Sequence, residues 1–249
     1  MSRLLLGVTG GAGAIVAWWA AVALPSGGHG FLAQFSPIKA CAALPGLVTD
    51  EHLLTHVLMS LQRVGVGLAL ALVAGLPLGF ALGRSQRFAS LFAPTLQFLR
   101  MISPLSWMPL AVISLGIGER AIYFLLAFAA VWPLAMSTAA GVAQIDRRWV
   151  QLGTSLAATR LEMLWHVYVP GVAAHVLTGV RLAIGILWIV LVPAEMLGVS
   201  SGLGYLILDA RDRLAYPDLT AAVVVIGALG FALDCAARLL RRLAGGAAA

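Results

Sequence analysis

The chain has 249 residues, of which 61% are hydrophobic and 10% charged, and its formal net charge is +6. Soluble domains carry about 25% charged residues, so too few ionic groups are present here to cover a soluble surface, and the apolar content excludes a disordered chain. The composition reads as a polytopic all-α membrane protein, whose basic excess faces anionic lipid rather than nucleic acid.

No charged residue lies between Arg3 and Lys39. Within that stretch Leu4–Leu24 is long enough to cross about 30 Å of hydrocarbon at about 1.5 Å per residue. Trp18 and Trp19 sit near its far end, where aromatic rings favour the interface. It reads as a retained helix, with a signal peptide cleaved at Ala21-Val22-Ala23 as the alternative. Pro25–Asp50 is rich in Gly, Pro and Ser and reads as an extramembrane loop. A second span runs from about Leu53 to Gly83 and contains Arg63. A third covers about Phe88–Leu115, where Pro94, Pro104 and Pro109 predict a kink or a break. Gly116–Arg120 reads as a turn, and the uncharged stretch Ala121–Ile145 as a fourth span. Asp146–Pro170 is the most polar long stretch, and Gly171–Val192 supplies a fifth span. Pro193–Pro217 reads as a loop holding a short re-entrant or interfacial helix. Asp218–Ala237 is the sixth span, followed by an arginine-rich end. The organisation expected is therefore a first helix and loop over 1–52, a core domain over 53–242 and a flexible tail over 243–249.

Six spans place both termini on one side. Arg3, Arg84, Arg87, Arg147, Arg148, Arg160, Arg238, Arg241 and Arg242 then share the terminal side. Lys39, Arg120, Arg211 and Arg213 lie opposite, and Arg63, Arg100 and Arg181 lie within spans. The positive-inside rule puts the termini in the cytoplasm, and Asp146–Pro170 with them. Cys41 and Cys235 fall on opposite sides, so a disulfide is not expected.

The single lysine, Lys39, stands in Ser36-Pro37-Ile38-Lys39-Ala40, which has no other element of a nucleotide-binding P-loop. Uphill transport by this chain would need an ion gradient or a separate ATPase. Within Asp146–Pro170, Thr159-x-x-Glu162 forms a capping box that starts a helix near Arg160. Arg147–Ser155 can form a preceding helix, and Leu156-Ala157-Ala158 an apolar turn between the two. The resulting hairpin reads either as a docking element or as a loop folded back on headgroups.

This hairpin resembles the coupling segment of ABC importer permeases. That pattern runs Glu-Ala-Ala, then Gly, then Ile/Val-x-Leu-Pro. Here Gln151-Leu152-Gly153 stand for Glu-Ala-Ala, Ala157 stands for Gly, and Val167-Tyr168-Val169-Pro170 close the pattern. Three further stretches resemble the nitrate, sulfonate and taurine permease subfamily. They are Phe98–Leu110 with Gly116–Glu119, Gly179–Gly185, and Ala194–Arg211, all in the family's order. The resemblance implies a type I ABC importer permease fold in the bacterial inner membrane. It implies a non-catalytic homodimer with two ABC ATPase subunits, which bind the ATP and Mg, and a periplasmic substrate-binding protein; no cofactor or metal belongs to the chain itself. Coupling to the ATPase falls on Gln151, Leu152, Gly153, Ser155, Leu156, Ala157, Ala158 and Thr159. Pathway and gate candidates are Arg100, Ser103, Pro104, Trp107, Arg181 and Glu195.

Arg63, Arg100 and Arg181 each lie about 15–20 Å into a span, where an arginine must be paired or hydrated. They read either as lining a positive cavity for an anion or as structural partners of groups such as Glu195, with Arg63 on the structural side. Gly75, Gly79 and Gly83 share one helix face and suit close helix packing within or between subunits. His52 and His56 have i,i+4 spacing, yet only Glu51 stands by as a third ligand, so no metal is expected. The substrate the resemblance implies is a small anion such as an aliphatic sulfonate, taurine or nitrate, with bicarbonate, cyanate or a vitamin precursor as alternatives on the same fold. The alternative classes are an ion-coupled secondary transporter, which needs carboxylates inside the spans, and a membrane enzyme, which needs clustered acid–base groups.

Overall fold

The computed structural model describes the backbone of residues 2–26, 30–49 and 51–246, and side chains over 9–24, 30–49 and 51–239. Helices account for most of the described chain. In order they are α1 (Ser2–Ser26), a 3₁₀ turn (Phe31–Phe35), α2 (Pro37–Thr49), α3 (Leu53–Arg84), α4 (Gln86–Met101), a 3₁₀ turn (Pro104–Trp107) and α5 (Met108–Leu115). There follow α6 (Glu119–Ala143), α7 (Arg147–Ser155), α8 (Arg160–Met163), a π turn (Leu164–Tyr168), α9 (Val169–Met196), α10 (Leu203–Asp212) and α11 (Tyr216–Gly246).

Among the described residues four helical stretches are long and apolar enough to cross a membrane: Leu53–Arg84, Glu119–Ala143, Arg160–Met196 and Tyr216–Leu239. The third expected span is broken. Gln86–Met101 and Pro104–Leu115 meet at 86°, because Pro104 cannot donate a helical hydrogen bond and bars the residue before it from helical geometry. Counted as one span, the pair makes five. Helix α1 covers the first expected span, and Thr9–Leu24 within it is a shorter apolar helix.

Several expected boundaries shift. Pro25–Asp50 is not a plain loop, since it contains the Phe31–Phe35 turn and α2. Ala40 and Leu47 of α2 are buried; the Gly and Pro content hid an apolar face. The turn over Gly116–Arg120 stops at Gly118, whose φ of 122° is open to glycine, so Glu119 and Arg120 belong to α6. Helix α11 continues to Gly246; 247–249 lie outside the described residues, as do the side chains of Arg3, Arg241 and Arg242.

The chain forms two compact units. The first comprises Met1–Met59 and Ser200–Leu229. In it Tyr216 packs against Phe31 and Phe35, with ring centroids 4.9 and 5.3 Å apart. Arg213 bridges Glu51 at 2.6 Å and Asp209 at 2.9 Å.

The second unit comprises Ser60–Val199 and Gly230–Ala249. Its core is a seam between α6 and α9. Ile122, Leu125, Leu126, Ala129, Ala130 and Leu134 recur at helical spacing and meet Ala183, Leu187, Leu191 and Ala194, all within 3% of full burial. Helix α3 enters through its small residues. A Cβ at Gly79 would sit 2.6 Å from Thr138 Cβ, and one at Gly83 would sit 2.6 Å from the Ala139 carbonyl. The glycine stripe thus packs α3 on α6 inside the chain, at a separation that no larger residue allows.

Replacing Gly79 with Val forces these backbones apart, at an expected cost of about 1–3 kcal/mol. Gly65, where an added Cβ meets nothing within 4 Å, should accept Ala without loss. Thermal unfolding of the purified variants checks both; equal midpoints for Gly79→Val and the parent would refute the packing assignment.

Candidate functional site

The hairpin is built from short-range signals. Asp146 caps α7, its carboxylate accepting the Arg148 N–H at 2.9 Å. At the second arm the Thr159 hydroxyl accepts the Glu162 N–H at 3.3 Å, and the Glu162 carboxylate accepts the Thr159 N–H at 2.7 Å. This is the reciprocal capping box. Between the arms, Ala158 N–H donates to Gly153 C=O and Ala157 N–H to Thr154 C=O, at 3.0 and 3.1 Å. These two bonds form a Schellman motif, and Ala157 takes its left-handed position at φ 54°. The glycine of the resembled pattern has its physical reason here: a residue without Cβ adopts this conformation freely, and Ala157 adopts it at some cost.

Gly153 serves the hairpin itself, since a Cβ there would collide with Met163 Sδ on the other arm. The exposed surface is apolar. Trp149, Leu152, Leu156, Leu161 and Trp165 are each at least half exposed. At the base, Val142, Met163, Tyr168 and Val172 form a small core. Tyr168 accepts a hydrogen bond from Arg84 Nη1, lies 5.5 Å beneath that guanidinium and meets Phe80 edge-on at 5.1 Å. The second arm does not end before Pro170. It runs through the π turn, where Val169 N–H reaches Leu164 C=O, directly into α9. The wider turn accommodates the ring of Pro170, which would clash with the carbonyl four residues earlier in a regular helix.

The three span arginines differ in kind. Arg63 is 1% exposed and bonds Glu195 through Nη1 at 2.7 Å and Glu119 through Nε at 2.9 Å. Glu195 is fully buried and also accepts from the Ser60 hydroxyl at 2.7 Å. Arg63, Glu195 and Glu119 therefore form a clamp joining α3, α9 and α6, and the carboxylate of Glu195 is held within it. Sequence reasoning missed Glu119, which it placed in a turn. Arg181 is about one-third exposed and bonds Asp234 at 2.9 Å; Arg238 holds the same carboxylate at 2.6 Å.

Arg100 has no ion pair among the described residues. It lines a cavity of about 390 Å³ with Gln86, Gln97, Trp132 and a wall of Leu and Ala from α3, α4 and α6. The indole N–H of Trp132 is buried without a partner among the described residues. Ser103 and Pro104 form the bend that follows Arg100. Trp107 turns inward, its ring 5.3 Å from Phe128. The structure thus separates Trp107, packed against the core, from Arg100, on the cavity.

His56 accepts the Gly202 N–H at 3.0 Å and stacks on Tyr205, and no metal-binding group occurs among the described residues. Cys41 and Cys235 are both free and exposed.

A family described as "Binding-protein-dependent transport system inner membrane component" matches residues 71–244. The taurine transport system permease protein TauC of Escherichia coli K12 is 35% identical over 78% of this chain and 70% of its own. The bicarbonate transport system permease protein CmpB of Synechococcus elongatus is 34% identical over 74% and 67%. The nitrate import permease protein NrtB of Leptolyngbya laminosa is 32% identical over 76% and 68%. A chain of the MetNI methionine ABC transporter, solved in inward-facing conformations, superposes with a TM-score of 0.61. It covers 77% of this chain and 95% of that one at 15% identity, a likeness of fold.

Removing one partner of the clamp leaves a buried charge unmatched. Arg63→Leu should cost about 3–5 kcal/mol, and Arg63→Leu/Glu195→Leu, which removes both charges, should cost less than the single change. Thermal stability in detergent distinguishes the two; a double variant no more stable than the single would contradict the clamp.

Proposed function

The chain belongs to the binding-protein-dependent transport system inner membrane component family as a non-catalytic ABC importer permease, and on that premise we propose that it moves a small oxyanion as a homodimer driven by two ATPase subunits. The hairpin Asp146–Pro170 docks on the ATPase. The observation that carries this reading is its exposed apolar surface around Leu152 and Leu156, raised on a capped, cross-braced scaffold. An apolar patch on a polar projection loses water contact only when a partner covers it. Gln151, Ser155, Ala157, Ala158 and Thr159 complete the docking face. ATP and Mg belong to the ATPase, because the one lysine of this chain lies outside any phosphate-binding loop.

The arginine distribution supports cytoplasmic termini and a cytoplasmic hairpin. A periplasmic binding protein then delivers substrate to the opposite face. Arg100 supports the anion reading, being a span arginine that lines a cavity with no carboxylate among the residues around it. Relatives named for taurine, bicarbonate and nitrate agree with a small oxygen-bearing anion.

Two variants of one residue test docking. Ala157→Glu places a charge in the socket and should abolish transport coupled to ATP hydrolysis while membrane insertion persists. Ala157→Gly, which suits the left-handed backbone, should retain coupling; normal coupling in Ala157→Glu would reject the assignment. Arg100→Gln should lower anion uptake by about tenfold, the loss of one charge-assisted contact, at unchanged expression. Full uptake in reconstituted vesicles would remove Arg100 from the pathway.

A further inference from the structure

A second cavity, of about 380 Å³, lies between the ends of α3 and α6 and the first arm of the hairpin. Its polar lining is Arg84, Arg147, Gln151 and Tyr168, its apolar lining includes Ile145 and Val150, and none of these lining residues is acidic; the neighbouring Asp146 turns its carboxylate to the Arg148 N–H. Neither arginine has an ion-pair partner among the described residues. Both arginines line this one cavity, and two like charges at one site favour an anion between them.

The site is partly preorganised. Tyr168 is buried, packs edge-on against Phe80, and takes one of the five donors of Arg84. The guanidinium is thereby held with donors to spare. Arg147 stands at the first turn of α7, whose N-cap Asp146 fixes where the arm begins. Helices α3 and α6, both apolar enough to span a membrane, end here at Arg84 and Ala143. The cavity therefore combines apolar residues from the end of α6, the loop after it and α7 with a polar set of arginine, glutamine and tyrosine.

We propose that this cavity binds a single oxyanion group, either the phosphodiester of an anionic phospholipid or a small free oxyanion. Planar guanidinium groups suit both, through paired N–H···O bonds. A bound anion would join the end of α3 to the first arm of the hairpin. The proposal does not rest on hairpin docking, and its test requires no ATPase.

The test uses the purified full-length chain in mild detergent, with two probes. Retained phosphatidylglycerol is counted by native mass spectrometry, and inorganic phosphate is titrated while the melting midpoint is followed. The proteins are the parent, Arg84→Gln/Arg147→Gln, Arg147→Gln alone and Arg87→Gln. The single Arg147 change leaves the Arg84–Tyr168 bond in place, and Arg87→Gln removes a neighbouring charge that does not line the cavity. The parent and Arg87→Gln should bind alike, and binding should weaken about tenfold in Arg147→Gln and further in the double variant. Such a loss for phosphatidylglycerol assigns a lipid phosphodiester, and such a loss for phosphate assigns a free oxyanion. Equal behaviour of all four proteins with both probes, or an equal loss in Arg87→Gln, would overturn the proposal.

Discussion

A guanidinium within an apolar span must be paired or hydrated, and the Arg63 clamp meets that demand by drawing three helices together. Glu195 from α9 and Glu119 from the start of α6 approach one side chain of α3. The bonds are directional, so they fix the rotation of α3 about its own axis. That rotation turns Gly75, Gly79 and Gly83 toward α6. Hydrophobic association between apolar helices is weak in lipid, where the tails are as apolar as the side chains. Directional charge contacts and close backbone approach take its place, and both converge on α3.

The positions of the spans, the polar hairpin and the α4–α5 break were legible because each rests on a local rule: hydropathy, a capping box, proline chemistry. The long-range pairings were legible only in part. Glu195 offered itself as an arginine partner, yet nothing in spacing chose Arg63 over Arg100 or Arg181. Asp234 lies within the expected sixth span, and nothing in its spacing pointed to Arg181 as its partner. Glu119 was hidden because two glycines precede it, and α6 begins one residue after the second. Helix α2 was hidden by Gly and Pro, which signal turns even when an apolar face lies among them.

The hairpin shows how a surface element keeps its shape without a large core. Its caps are local, its arms are held by one sulfur against one glycine, and its base rests on Tyr168 and a few apolar neighbours. The caps and the arm-to-arm contact lie close in sequence, whereas the base draws on α3, α6 and α9. Tyr168 also links the hairpin to α3 through Arg84. Motion of either α3 or α9 therefore reaches the hairpin through that contact as well as through the continuous helix.

The π turn at Leu164–Tyr168 sets a rotational phase. A π turn holds one residue more than the regular helix needs for the same advance. Every side chain of the second arm is therefore turned by about 100° about the axis from the place an unbroken helix would give it. The face that Leu161 and Trp165 present is set by that one added residue, not by the apolar pattern of α9. Chains that differ here by a single residue would keep the same helices and the same caps, and aim the hairpin in another direction.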